Sequence, residues 1–353
     1  MCHVHLCLLE YGPLQDILTV TFNPAVDMST ATPEVSAGPK LRCDAPVFSA
    51  GGGGINVSRA IRILGGYSRA FVAAGGTAGV KLGVLLAEEG IARIPYPAPG
   101  ETRTNVAVIE GASGDQYRYV MPGPTWREAD CELMLDNLCA MVSPSGLVVL
   151  SGSLAPGMPV DVIRRIMQRL GAEGPKVICD ISGAPLADLC GHEGCGLEVL
   201  RMDHDEAEEI EGAPLASRED SARFARDLVT KGVARAVVVA RGPDGSVLAT
   251  ETGCVHASGL DVPVDNKVGA GDSFVGAFAL AMAMGKDATT ALQWGTTAAT
   301  SAVTTPAREL CRKPDFERYL PECALSDLAV EFRGRALRRL GRKSARQTRR
   351  WSS

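Results

Sequence analysis

The chain has 353 residues, enough for one large domain with an appendage or for two ordinary domains. It is 46% hydrophobic but only 5% aromatic, which suits closely packed α/β layers and argues against an aromatic-rich β-sandwich. The net charge is a modest −5, and the 11 cysteines show no CxxC pair, so a disulfide scaffold is excluded and reduced thiols in a cytoplasmic protein are expected.

In chain order, residues 1–15 read as an N-terminal extension. Its Cys2, His3, His5 and Cys7 have the composition of a metal tract, but spacing this tight suits one tetrahedral zinc poorly. The stretch lacks the basic start of a signal peptide, and nowhere is there an apolar run of about 18 residues, so no membrane span is expected. "DILTVTF" (16–22) predicts a strand, and "GINVSRAIRILGG" (54–66) predicts a helix, with Val57, Ala60, Ile61 and Leu64 at helical spacing before closing glycines. "RAFVAAG" predicts a strand, "GVKLGVLLAEEG" a helix, "GLVVLSGS" a strand and "PVDVIRRIMQRLG" a helix. "KVICDIS" and "LEVLRMD" predict strands, "SREDSARFARDLVTKG" a helix, "ARAVVVARG" a strand, and two further helices follow "VGAGD". The alternation predicts a doubly wound α/β fold: a mostly parallel sheet with helices on both faces and ligands at the carboxyl ends of its strands. Residues 25–48 and 101–121 break the rhythm. They alternate polar and apolar residues between turn signals and predict antiparallel strands of a small projecting sheet, placed to act as a lid. Residues 327–353 read as a basic tail: 332–353 carry nine Lys or Arg and no acid, which leaves the rest of the chain at −14. Contact with nucleic acid or an acidic membrane surface is conceivable for such a tail, but a solvated segment is the simpler expectation.

Two glycine clusters carry the chemistry. In "NKVGAGDSFVGAFALAMAMG" (266–285), Gly269, Ala270 and Gly271 leave backbone N–H groups open at the mouth of an apolar helix, where unpaired donors and the helix dipole favour an anion. Asp272 at that mouth admits two readings, a helix N-cap or a general base taking a proton from a substrate hydroxyl. The second cluster, "SAGGGGINVSRAIRILGG", runs straight into a helix, so its glycines are expected to form a backbone surface against a ligand, and Asn56 offers amide groups suited to sugar hydroxyls. No G-x-x-x-x-G-K-[ST] occurs, which excludes a P-loop.

Together "GGGGINVSRAIRILGG" and "VGAGDSFVGAF" resemble the signatures of the ribokinase-like, or PfkB, family of carbohydrate kinases, over roughly residues 16–326. "TFNPAVD", "GPKLRCDAPVFSAGGGGINVSRA", "GDQYRYVMPG" and "LSGSLAPG" are similar to its phosphosugar branch and, within it, to the minor 6-phosphofructokinases of bacteria. The resemblance implies transfer of the γ-phosphoryl group of ATP, with Mg²⁺, to fructose 6-phosphate, and a homodimer joined through its lids. Carried over by position, Asp272 is the implied base, with Gly269, Ala270 and Gly271 as the anion hole. Asp27, Gly52, Gly53 and Asn56 would hold sugar hydroxyls. Lys40, Arg42, Arg103 and Ser153 would surround the sugar phosphate, although Lys40 and Arg42 could equally be edge-strand charges. Gly242 and Gly245 of "RGPDG" would approach ATP, and the helical "GTTAATSAV" (295–303) would border the adenine.

One element departs from the family pattern. Where Lys-Pro-Asn-x-x-Glu is expected, the chain reads "RMDHDE". Arg201 and Asp203 would then meet the nucleotide, and Asp203 and Glu206 would hold Mg²⁺ through water, with Arg201 pairing with Asp203. The alternatives to a 6-phosphofructokinase are a kinase of fructose 1-phosphate or tagatose 6-phosphate, or a degenerate, non-catalytic sugar-phosphate binder.

Overall fold

The computed structural model describes residues 15–306 and 309–330; the Cys2, His3, His5, Cys7 tract and the basic segment 332–353 lie outside them. The chain opens with β1 (Ile17–Thr21), β2 (Ala25–Thr32), β3 (Val47–Gly51), α1 (Gly53–Ile63), β4 (Arg69–Ala74), α2 (Gly76–Glu88) and β5 (Ala92–Pro97). There follow β6 (Arg103–Glu110), β7 (Gln116–Tyr119), α3 (Glu128–Ala140), β8 (Leu147–Ser151), α4 (Val162–Leu170), β9 (Lys176–Asp180) and α5 (Ala184–Gly191). Next come β10 (Leu197–Asp203), α6 (His204–Glu211), α7 (Arg218–Thr230), β11 (Ala234–Ala240), β12 (Gly245–Thr250) and β13 (Cys254–Ser258). The described chain closes with α8 (Ala270–Ala283), α9 (Ala288–Val303), α10 (Lys313–Tyr319) and β14 (Leu325–Leu328).

The main sheet is ten-stranded, in the order β14-β13-β12-β11-β10-β9-β8-β1-β4-β5. From β5 to β11 every pairing is parallel; β12, β13 and β14 close one edge antiparallel. Successive side chains point to opposite faces, so each central strand feeds two cores. Ile17, Leu147, Val149, Ile178 and Val199 pack beneath α1, α8 and α9. Leu18, Val20, Val148, Leu150 and Val177 pack against α3, α4 and α7 on the other side. Both faces are covered, as the near-continuous apolar runs of these strands require.

The predicted lid is a separate sheet, in the order β3-β2-β6-β7. Its two outer pairings are antiparallel, but β2 and β6 pair in parallel, from Ala25 opposite Arg103 to Thr32 opposite Glu110. The expectation of antiparallel strands throughout is corrected here. β2 continues from β1 and β6 follows β5, and those two strands leave the main sheet at the same edge in the same direction. Residues 33–46 form no strand, so Lys40 and Arg42 sit exposed in a loop, and the edge-strand reading of these two charges falls.

One helix contact places the site. Gly276 of α8 faces Ala60 of α1 so closely that a Cβ on Gly276 would lie 2.7 Å from the Ala60 Cβ. Asn56 and Asp272 lie four residues before Ala60 and Gly276 in their helices. Since residues four apart share a helix face, the close crossing brings Asn56 and Asp272 together one turn further on.

Candidate active site

Asp272 lies in the first turn of α8, but it does not cap the helix. Gly269 is the N-cap, at φ 81°, a left-handed conformation that suits glycine. The capping alternative for Asp272 is therefore excluded. Its carboxylate instead accepts a hydrogen bond from Asn56 Nδ2 at 2.9 Å. Burial pushes its proton affinity up, to a pKa of about 6; the neighbouring Asp180 adds to the rise, while the Asn56 bond, Arg201 and Arg59 oppose it. A carboxylate tuned to this range is ionised near neutral pH yet basic enough to accept a proton in a reaction. The amides of Gly269 and Gly271 stand at the same helix end, while that of Ala270 donates to the Lys267 carbonyl at 3.4 Å.

The glycine run is packed tightly on the side where side chains would stand. A Cβ on Gly51 would lie 2.2 Å from Asp27 Oδ2, one on Gly53 2.5 Å from Ser151 Oγ, and one on Gly54 2.4 Å from the Val20 carbonyl oxygen. Gly53 and Gly54 press α1 against the carboxyl ends of β8 and β1, and Gly51 packs β3 onto Asp27 of β2, so the close approach on this side is to the protein itself. Gly52, at φ 122°, has Thr21 Cγ2 where a Cβ would be.

Between lid and core lies a cleft of about 120 Å³ whose walls include Asp27, Asn56, Arg59, Asn105, Gly269 and Glu309. The carboxyl group of Asp27 accepts from Asn105 Nδ2 at 2.8 Å, and Asn105 Oδ1 accepts from the Met121 amide at 3.1 Å. Beside them Arg103 donates to the Asn23 carbonyl at 2.8 Å, while its Nε is buried without a partner. Burial pushes its proton affinity down, against the pull of Asp27. A half-buried guanidinium with spare donors and no bonded carboxylate is suited to an anion. Ser153 is exposed in the loop after β8. It, Lys40, Arg42 and Arg103 lie outside the walls of this cleft, and Asp272 stands behind Asn56 and not in the wall itself.

On the other side of Asp272, Arg201 of β10 runs under α8. Its Nη1 donates to Asp180 Oδ1 at 3.0 Å, its guanidinium carbon lies 5.9 Å from the centre of the Phe274 ring, and a Cβ on Gly271 would lie 3.3 Å from Nη1. The expected pairing of Arg201 with Asp203 is corrected: Asp203 ends β10 and points away to cap α6. Asp203 Oδ1 accepts from the Glu206 amide and Glu206 Oε2 accepts from the Asp203 amide, each at 2.9 Å, a closed capping box. One oxygen of each carboxylate is thus committed to the helix and the other is left over. Gly242 (φ 59°) opens on free space, as a ligand-facing turn would. Gly245 does not: a Cβ there would lie 2.0 Å from the Ala257 carbonyl oxygen, so this glycine serves the β12–β13 packing.

Sequence reading missed Arg59, Asn105, Asp180 and Glu309. Asp180 had a signal, since it lies near the carboxyl end of the predicted strand "KVICDIS", where ligands gather on such sheets. Asn105 and Glu309 had none, because a lone polar residue in a strand or loop carries no local pattern.

Residues 19–314 match the pfkB family carbohydrate kinase pattern. The chain is 34% identical to the ATP-dependent 6-phosphofructokinase isozyme 2 of Mycobacterium tuberculosis, over 86% of this chain and 88% of the relative. It is equally identical to that isozyme of Escherichia coli, over 86% and 97%. The 1-phosphofructokinase of Bacillus subtilis is 28% identical, over 88% and 100%. Solved structures of E. coli phosphofructokinase-2 share 33% identity and cover 87% of this chain and 99% of their own. Their TM-scores are 0.82 for the potassium complex, 0.79 for the fructose-6-phosphate complex and 0.80 for a tetrameric inhibited form.

Proposed function

This chain belongs to the pfkB family of carbohydrate kinases, and on that premise we propose that it transfers the γ-phosphoryl group of ATP to the free primary hydroxyl of fructose 6-phosphate. The observation that carries the reading is Asp272, freed from capping by Gly269 and held by Asn56 with a pKa of about 6.

In this reading Asp27 and the unused donor and acceptor of Asn56 orient the sugar, and Arg103 binds its phosphate with help from Lys40, Arg42 and Ser153 out of the lid and the β8 loop. Asp272 accepts the proton of the attacking hydroxyl. The new O–P bond forms as the bond to the ADP oxygen breaks, and the amides of Gly269 and Gly271, joined by that of Ala270 as it gives up its long bond to the Lys267 carbonyl, hold the charge on the transferring group. Arg201, directly beneath Gly271, adds a fixed cation under that turn. The lid shuts out water, which would otherwise compete as acceptor.

A divalent cation would find few protein ligands at this site. Among the described residues no group of three or more His, Cys, Asp or Glu could hold a metal. Two hard carboxylate oxygens, one each from Asp203 and Glu206, remain free of the capping box. That donor set suits a hydrated Mg²⁺ that arrives with ATP rather than a protein cage. Bound there, Mg²⁺ would supply charge neutralisation at the phosphate oxygens.

The lid exposes Val47, Ile109, Tyr117, Tyr119, Val120 and Met121, which supports self-association of this chain through its lids as a homodimer. No described helix is long and apolar enough to cross a membrane. The deciding experiment is ATP consumption measured with fructose 6-phosphate, fructose 1-phosphate and tagatose 6-phosphate in parallel. Turnover highest with fructose 6-phosphate supports the reading, and higher turnover with either other sugar overturns it.

A further inference from the structure

We infer that Arg59 is a positioning residue: by occupying the side-chain oxygen of Asn56, it fixes which end of that amide faces Asp272. The argument deepens the kinase reading, since it concerns the residue assigned there as the base.

The two ends of an Asn side chain have nearly the same shape, so packing alone does not choose between them. Here the neighbours choose. Asn56 Nδ2 donates to Asp272 Oδ2 at 2.9 Å, and Asn56 Oδ1 accepts from Arg59 Nη1 at 3.3 Å. A guanidinium can only donate and a carboxylate can only accept, so the reversed amide would set oxygen against oxygen and N–H against N–H. Arg59 is itself held from behind. Its Nε donates to Glu89 Oε2 at 2.5 Å, and Glu89 is the residue that closes α2. Glu89, Arg59, Asn56 and Asp272 therefore form one chain of contacts from α2 through α1 to the mouth of α8.

Without Arg59 the amide is free to turn. An amide oxygen facing Asp272 is compatible only with the protonated acid, which can donate to it, so the turned state favours the neutral carboxyl. The other charged groups acting on Asp272 come from different elements and stay in place, Asp180 on β9 and Arg201 on β10, while Asp27 on β2, Arg118 on β7 and Glu309 line the cleft that Asn56 and Arg59 also border. Loss of Arg59 also removes a nearby cation, and both effects act in one direction.

The test is an NMR titration of the Asp272 carboxyl carbon in full-length protein labelled at aspartate, with the signal assigned by its absence in Asp272→Asn. Arg59→Ala should move the midpoint upward by about one pH unit, a tenfold rise in proton affinity. Arg59→Lys, which keeps the charge but not the planar fork, should move it less. If Arg59→Ala does not fold, Arg59→Met, which keeps the length of the side chain but neither its charge nor its donors, should give an upward shift of the same sign. Coincident midpoints in wild type and in the folded variant overturn the inference. The titration needs no turnover, so its result stands apart from the kinase assay. Where turnover is present, the acid limb of kcat should move with the NMR midpoint, and a uniform loss of kcat at every pH would assign Arg59 a purely structural role.

Discussion

Arg201 and Asp180 form an ion pair at 3.0 Å, with side chains only 14% and 13% exposed, directly under the first turn of α8. Burial alone would lower the proton affinity of Arg201, and the carboxylates of Asp180, Glu206 and Asp203, Asp180 foremost, together reverse that. A buried pair of this kind adds little net stability, but removing one partner strands the other charge.

Asp180→Asn should therefore destabilise the protein, on the order of 3 kcal/mol in urea unfolding. It should also lower the proton affinity of Asp272, because Asp180 is one of the groups that raise it. The acid limb of kcat should then move to lower pH, opposite to the shift expected for Arg59→Ala. A limb that stays where it is would show that Asp180 and Asp272 are not coupled.

Asp272→Asn should keep the fold, because Gly269 and not Asp272 caps α8. Turnover should fall roughly 10²–10⁴-fold, the usual worth of a positioned general base. Stability should move the other way. The carboxyl group rises from an ordinary 3.8 to about 6 on folding. The folded state thus holds the proton more tightly, and stability is lost as pH rises between those two values. Above pH 7 the variant, which carries no charge there, should melt higher than wild type, by on the order of 1–2 kcal/mol. Below pH 4 the two melting curves should coincide. Equal Tm values at pH 7.5 would argue against the buried, raised carboxylate.

Arg103→Ala should raise the KM for the phosphosugar at least tenfold, as loss of a charge-assisted phosphate contact does. The KM for ATP should be nearly unchanged. Parallel losses for both substrates would show that Arg103 acts mainly by holding the Asn23 and Met121 carbonyls, that is, by bracing the lid.

Asp203→Asn should preserve α6, since Asn is as good an N-cap as Asp. It removes one of the two carboxylates left with a free oxygen near the nucleotide, so ATP should bind better at low Mg²⁺ and the dependence of its KM on free Mg²⁺ should flatten. Identical Mg²⁺ titrations for the two proteins would remove Asp203 from the metal site.

Much of this molecule was legible along the chain. Strands buried on both faces, helices with apolar stripes and the glycine–acid junction at 269–272 are local patterns, set by periods of two and 3.6 residues and by the freedom of glycine. They determined the doubly wound sheet, the separate lid and the identity of Asp272. The tertiary structure alone decided what each polar group faces. Asn56 and Asp272 are 216 residues apart and meet only because Gly276 lets α8 press onto Ala60. Arg201 turns to Asp180 and not to its near neighbour Asp203, because the backbone at 203 is already starting α6 and claims that carboxylate as its cap. The parallel β2–β6 pairing likewise follows from the direction in which β1 and β5 leave the main sheet. Local propensity carries no record of such partners, since a hydrogen bond across the fold depends on packing between elements distant in sequence.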